Sequence, residues 1–156
     1  MEKDKSHFLY PAALHVSVNP CHIHTILGSC VAICLWDTTN KFGGMNHYML
    51  PLWNGQGLAS PKYGNIAIEK LIQKVESLGG IRKNFIAKIF GGAYVLNSKN
   101  ETFRIGDRNI EIAYSALKEF NIPIVAKSVS GDLGRKILFS TETGEVKMRF
   151  VKKNAY

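Results

Sequence analysis

"HTILGSCVAICLWD", residues 24–37, decides how the chain must be layered. Its second half, Val31-Ala32-Ile33-Cys34-Leu35-Trp36, is apolar at every position. A strand with one wet face alternates apolar and polar residues, whereas a strand covered on both faces reads as a continuous apolar run. The segment therefore predicts a central strand with protein packed on either side. Just before it, Gly28 and Ser29 set the thiol of Cys30 at the mouth of that strand, where the backbone is free to bend. A second thiol, Cys34, shares the strand face with Cys30 but falls deep in the apolar run, roughly 13 Å away at strand rise. One thiol sits at an entrance and the other in the wall behind it.

Working outward, Leu14, Val16 and Val18 alternate with His15 and Ser17 until Asn19-Pro20, which predicts a half-buried strand over residues 13–18. A short strand is expected at 22–27. Residues 37–44 read as a polar turn, and 43–51 as an apolar return stopped by Pro51, followed by a loop at 53–62. From 65 to 78 the period changes: Ile68, Leu71, Ile72 and Val75 recur at helical spacing, with Gly79-Gly80 as the stop. Residues 85–90 predict a strand running into Gly91-Gly92. A second amphipathic helix is expected over 107–120, carrying Ile110, Ala113, Tyr114 and Leu117 on one face. Residues 122–129 predict a strand, and 135–140 with 146–151 a hairpin around TETGE. Many strands and two helices without regular alternation give an α+β class, with mixed β-sheet layers forming a sandwich-like core flanked by helices.

The chain has 156 residues, which is expected to form a single domain over 1–156, burying roughly 70% of its unfolded surface without disulfide or metal. The N-terminus has no signal-peptide run, and no stretch approaches the ~18 apolar residues of a membrane span. With three cysteines, an odd count, the expectation is a cytoplasmic protein with reduced thiols and no membrane insertion. The formal charge of +8 is spread along the chain. Its one dense patch, Lys147, Arg149, Lys152 and Lys153, alternates with Val146, Met148 and Phe150 as a strand with one wet face does, so nucleic acid is not expected as a partner.

Cys21, His22, His24, Cys30, Cys34 and His47 include the residue types that bind zinc, but nothing matches a paired C-x-x-C or a helical H-E-x-x-H, and no metal is expected. Gly55-Gln56-Gly57 lacks the strand, helix and lysine of a phosphate loop. No cofactor is expected. Nucleophilic catalysis is the sharper reading. A thiol behind Gly28-Ser29 lies where backbone N–H groups are able to face outward as oxyanion donors. A free thiol is mostly protonated at neutral pH and needs a base, and His47 is the one histidine embedded in a glycine-led apolar run. The competing reading is a buried cysteine and a satisfied core histidine.

"HTILGSCVAICLWD", "GGMNHYMLP", "YGNIAIEKLI", "AKIFGGA", "IGDRNIE" and "GDLGRKILF" follow one another along residues 14–150 in an order that resembles the CheD family, the chemoreceptor glutamine deamidases. Ser130-Gly131 departs from the glycine pair that the family often carries before its G-R element. The resemblance implies hydrolysis of selected glutamine side chains of chemoreceptor cytoplasmic domains to glutamate and ammonia. It places the nucleophile on Cys30, the histidine on His47 and a supporting threonine on Thr25. Gly28, Ser29 and Asn46 are expected to contact the substrate amide. It further implies a fold similar to the cytotoxic necrotizing factor catalytic domain, and CheC, a chemotaxis phosphatase, as a further partner. The alternative is a non-catalytic chemotaxis adaptor that binds receptor or CheC.

Overall fold

The computed structural model of the chain describes residues 5–94 and 104–152. Two sheets stack face to face. The larger has five strands in the order β2 (Leu14–Ser17), β5 (Phe42–Asn46), β4 (Val31–Asp37), β6 (Phe85–Gly91) and β7 (Ile124–Val129). The smaller has four, β1 (Lys5–Phe8), β3 (Cys21–Leu27), β8 (Gly134–Ser140) and β9 (Val146–Val151). Helices α1 (Gly64–Ser77) and α2 (Ile105–Glu119), with a short 3-10 turn at Arg82–Asn84, complete the described elements. β1 with β3 and β6 with β7 pair parallel and the remaining ladders are antiparallel, so both sheets are mixed.

The continuous apolar run of β4 has the explanation its sequence predicts. Val31, Ile33 and Leu35 face the helices, packing with Ile68, Leu71, Val75, Ala113 and Leu117. Ala32, Cys34 and Trp36 face the smaller sheet and pack with Ile23, Leu27, Ile137 and Phe139. Every residue of β4 is buried. Burying one such aliphatic side chain is worth roughly 1.5–3 kcal/mol, so these two half-cores on either side of β4 make it the least replaceable element of the fold.

β3 is the opposite case. Cys21, Ile23, Thr25 and Leu27 point inward, while His22, His24 and Ile26 lie on the outer side. Thr25 is thus carried into the core by strand alternation alone.

The expected polar turn over residues 37–44 is shorter than the sequence suggests. Phe42-Gly43-Gly44 already belongs to β5, between β2 and β4. A Cβ at Gly43 would lie 1.9 Å from the Leu35 carbonyl oxygen, and one at Gly44 2.4 Å from that of His15. These glycines are there for close approach of three strands. The strand at β1 has no counterpart in the expectations, since Lys5-Ser6-His7-Phe8 shows no apolar alternation. Lys153 of the basic patch lies outside the described residues.

Candidate active site

Three segments converge at one end of β4. Val31 and Tyr48 form an antiparallel backbone bridge, each N–H donating to the other's carbonyl at 3.1 and 3.0 Å. Continuing that register sets Ala32 opposite His47 and Cys30 diagonal to it, all on the face toward the smaller sheet, within the roughly 7–8 Å of diagonal neighbours. Across from them, Thr25 rises from β3. Thr25 and His47 are buried, and Cys30 is partly exposed.

The hydrogen bonds fix the histidine tautomer. The Thr25 hydroxyl donates its one hydrogen to the Leu9 carbonyl at 2.7 Å, and its oxygen lies 2.8 Å from His47 Nδ1. With its proton already committed, the hydroxyl accepts from Nδ1–H. His47 Nε2 is then the ring nitrogen with a free lone pair. Burial drives the His47 pKa down to about 4, opposed by the Leu9 backbone, so the ring is neutral at physiological pH.

The Cys30 segment is held by its carbonyls. Gly28 O accepts from Ala93 N–H at 3.0 Å, Ser29 O from Asn109 Nδ2 at 3.0 Å, and Cys30 O from Gly92 N–H at 2.9 Å. In a planar trans peptide the N–H points opposite to the preceding C=O. Pinning the Gly28 and Ser29 carbonyls inward therefore aims the N–H groups of Ser29 and Cys30 the other way. Burial raises the Cys30 thiol to about 11, and its own backbone N–H opposes that rise. That N–H is accordingly close enough to the sulfur to favour its anion.

The Gly91-Gly92 pair explains how the carbonyls are caught. Both residues are left-handed, with φ of 108° and 68°, and a Cβ at Gly91 would meet Cys30 O at 2.2 Å. Only glycine lets β6 end in a turn this close to the thiol segment. Arg135, buried beneath, donates to the carbonyls of Gly91, Leu133 and Ser130 and to the Ser128 hydroxyl, fixing the same turn from the other side.

Cys34 is fully enclosed, with its thiol pKa raised by burial. Asn46, expected to touch the substrate, is also fully buried, and its Oδ1 accepts from Ile33 N–H at 2.8 Å, across the ladder rather than toward Cys30. His22 and His24 are on the outer side of β3, away from Cys30. Among the described residues no group of three or more His, Cys, Asp or Glu side chains is arranged to hold a metal ion. No described helix is long and apolar enough to cross a membrane. The residues that sequence reasoning missed are Gly91, Gly92, Arg135 and Asn109; they lie in AKIFGGA, GDLGRKILF and IGDRNIE, whose chemistry is structural support rather than reaction.

Residues 49–150 match the family model described as CheD chemotactic sensory transduction. Over 142 residues, 91% of the chain, it is 51% identical to a probable chemoreceptor glutamine deamidase CheD of Trichlorobacter lovleyi, covering 88% of that protein. It is 46% identical along its whole length to one of Sulfurimonas denitrificans, also covered completely. A third, from Rhodospirillum rubrum, is 40% identical over 92% of this chain and 81% of that one.

Proposed function

This chain belongs to the CheD family, and we propose that it is a chemoreceptor glutamine deamidase in which Cys30 is the nucleophile, His47 the acid-base group and Thr25 the residue that orients His47. The observation that carries this reading is the Thr25 hydroxyl, whose donation to Leu9 O leaves His47 with a free Nε2 on the face it shares with Cys30.

The resting pair is neutral, because burial disfavours both thiolate and imidazolium. Cys30 Sγ attacks the carboxamide carbon of a receptor glutamine as His47 Nε2 takes the thiol proton. The N–H groups of Ser29 and Cys30, with Gly28 allowing the bend, hold the oxyanion. When the intermediate collapses, the C–N bond breaks and His47 returns the proton to the departing ammonia, leaving a thioester on Cys30. Water then attacks the thioester while His47 accepts its proton. The C–S bond breaks, the sulfur regains a proton, and glutamate is released. Asn46 supports this site by holding β4 and β5 in register.

The partly exposed thiol suits a side chain presented on a protein surface better than a metabolite, which favours a receptor cytoplasmic segment as substrate. Residues 1–156 are read as one CheD-like domain, cytoplasmic, without cofactor, with CheC as a further partner. The layering of two sheets with helices on one of them supports kinship in fold with the cytotoxic necrotizing factor catalytic domain. The competing reading, an adaptor with an inert cysteine, draws on the raised Cys30 pKa of about 11. Iodoacetamide separates the two. Cys30 is the most accessible of the three thiols, so the comparison is with and without the histidine: a nucleophile assisted by His47 makes Cys30 alkylate markedly more slowly in a folded His47→Gln protein, whereas an inert Cys30 that labels at the same slow rate in both supports the adaptor.

A further inference from the structure

Asn109, on α2, is fully buried although it carries an amide. Its Nδ2 donates one hydrogen to Ser29 O and the other to Met49 O, each at 3.0 Å. Its backbone carbonyl accepts from the Tyr48 hydroxyl. Its Oδ1 is buried with no hydrogen-bond partner among the described residues. A buried acceptor left unpaired is costly, so this side chain is not placed for stability alone.

Ser29 precedes Cys30, and Met49 follows His47 by two residues. The backbone ladder between the two segments makes its last rung at Val31–Tyr48. Beyond that rung the amide of Asn109 spans the gap. Resting on the function proposed above, we propose that Asn109 is a positioning residue: it acts as a side-chain rung that sets the spacing between the Cys30 segment and the His47 segment, and holds the Ser29–Cys30 peptide with its N–H toward the substrate.

The geometry demands two hydrogens on one nitrogen at the end of a short side chain. Asparagine supplies that and aspartate, of equal size, does not. A shift of about 1 Å between reacting groups is enough to cost ~100-fold in rate. Asn109→Asp is therefore expected to lower kcat by roughly 100-fold with KM changed less than about threefold, because receptor binding does not involve this residue. In the same protein Cys30 alkylation should fall to the rate of His47→Gln, and its pH dependence should lose the contribution of the histidine. Asn109→Ser, which removes the rung without burying a charge, serves where the aspartate variant does not fold, and should behave alike. Both variants are assayed well below their melting temperatures.

A merely structural Asn109 predicts a lower Tm with kcat and the alkylation profile within about threefold of wild type, and that result in either folded variant overturns the proposal. Failure of the underlying function reading is distinct: wild-type protein would then leave receptor glutamines unchanged, while the alkylation arm still decides whether Asn109 positions Cys30 against His47.

Discussion

The single hydrogen of the Thr25 hydroxyl determines which nitrogen of His47 is basic, and the most specific expectations at the residue scale follow from it. His47→Gln keeps a hydrogen-bonding side chain but removes the base, so turnover should fall by roughly 100-fold or more in a protein that remains folded. Thr25→Ala frees the ring to change tautomer without removing it, so the loss should be smaller, measured in the same assay. Losses of equal size from both substitutions would mean that Thr25 does more than orient. The depressed histidine pKa also has a consequence for stability. A proton binds the unfolded chain near 6.5 but the folded protein only near 4, so the stabilisation is fully present above pH 6.5 and is lost as pH falls toward 4. The loss amounts to roughly 3 kcal/mol across that interval. Denaturant melts between pH 7 and pH 4 should show this decline in wild type and a visibly smaller one in His47→Gln. An identical decline in both would place the acid-sensitive group elsewhere. Activity should rise with pH as His47 deprotonates near 4 and then stay level, because the Cys30 thiol remains protonated up to about 11.

At the scale of elements, the position of the proposed nucleophile depends on where strands begin and end. β4 was legible in the sequence because a strand packed on both faces cannot hide its apolar run. The helices were legible for the same reason, their stripes ending at Gly79 and, near Phe120, at Asn121 with its left-handed φ of 57°. Gly43-Gly44 was only half legible, read both as the end of the polar turn and as the start of the apolar run that becomes β5, since a glycine pair signals a turn and a close backbone approach in the same letters; only the neighbours Leu35 and His15 distinguish them. Gly43→Ala would drive a methyl into the Leu35 carbonyl, where no flexible side chain is available to move aside. The expected cost is about 3 kcal/mol or more, together with loss of activity as β5 carries His47 away from β4. A melting temperature close to wild type would contradict this. Asn109 escaped notice because its amide sits next to Ile110 and Ala113 on a helix face that sequence pattern assigns to the core, and nothing in the pattern says that two carbonyls from other segments meet it there. Thr25 entered only through the family resemblance; what carries it into the core is the alternation of Cys21, Ile23 and Leu27 along β3.

For the whole molecule, the sandwich sets the proposed site at a seam. Cys30 and His47 come from the sheet that the helices cover, and Thr25 from the other sheet, so the site exists only when both are stacked. Apart from the β8–β9 hairpin, which the TETGE turn predicts and the structure forms, the strand neighbours were beyond the sequence, because a pairing such as β3 with β8 joins residues far apart in the chain and depends on the whole core. The charge of +8 acts at this scale too. Exposed charge is screened over roughly 8 Å at physiological salt, so this charge is expected to aid encounter with an acidic receptor segment without selecting the glutamine. Raising salt should therefore increase KM while kcat holds; a fall in kcat at constant KM would contradict steering. The central claim is that Cys30, not Cys34, performs the deamidation. Its most direct test is mass spectrometry of receptor cytoplasmic fragments after incubation with wild type, Cys30→Ala and Cys34→Ala, each checked for folding by its melting curve. Cys30→Ala should be fully folded and leave every glutamine an amide, while Cys34→Ala, weakened by about 1 kcal/mol of packing, converts the same glutamines to glutamate as wild type does. An active Cys30→Ala protein, or a stable Cys34→Ala protein without activity, would contradict the account.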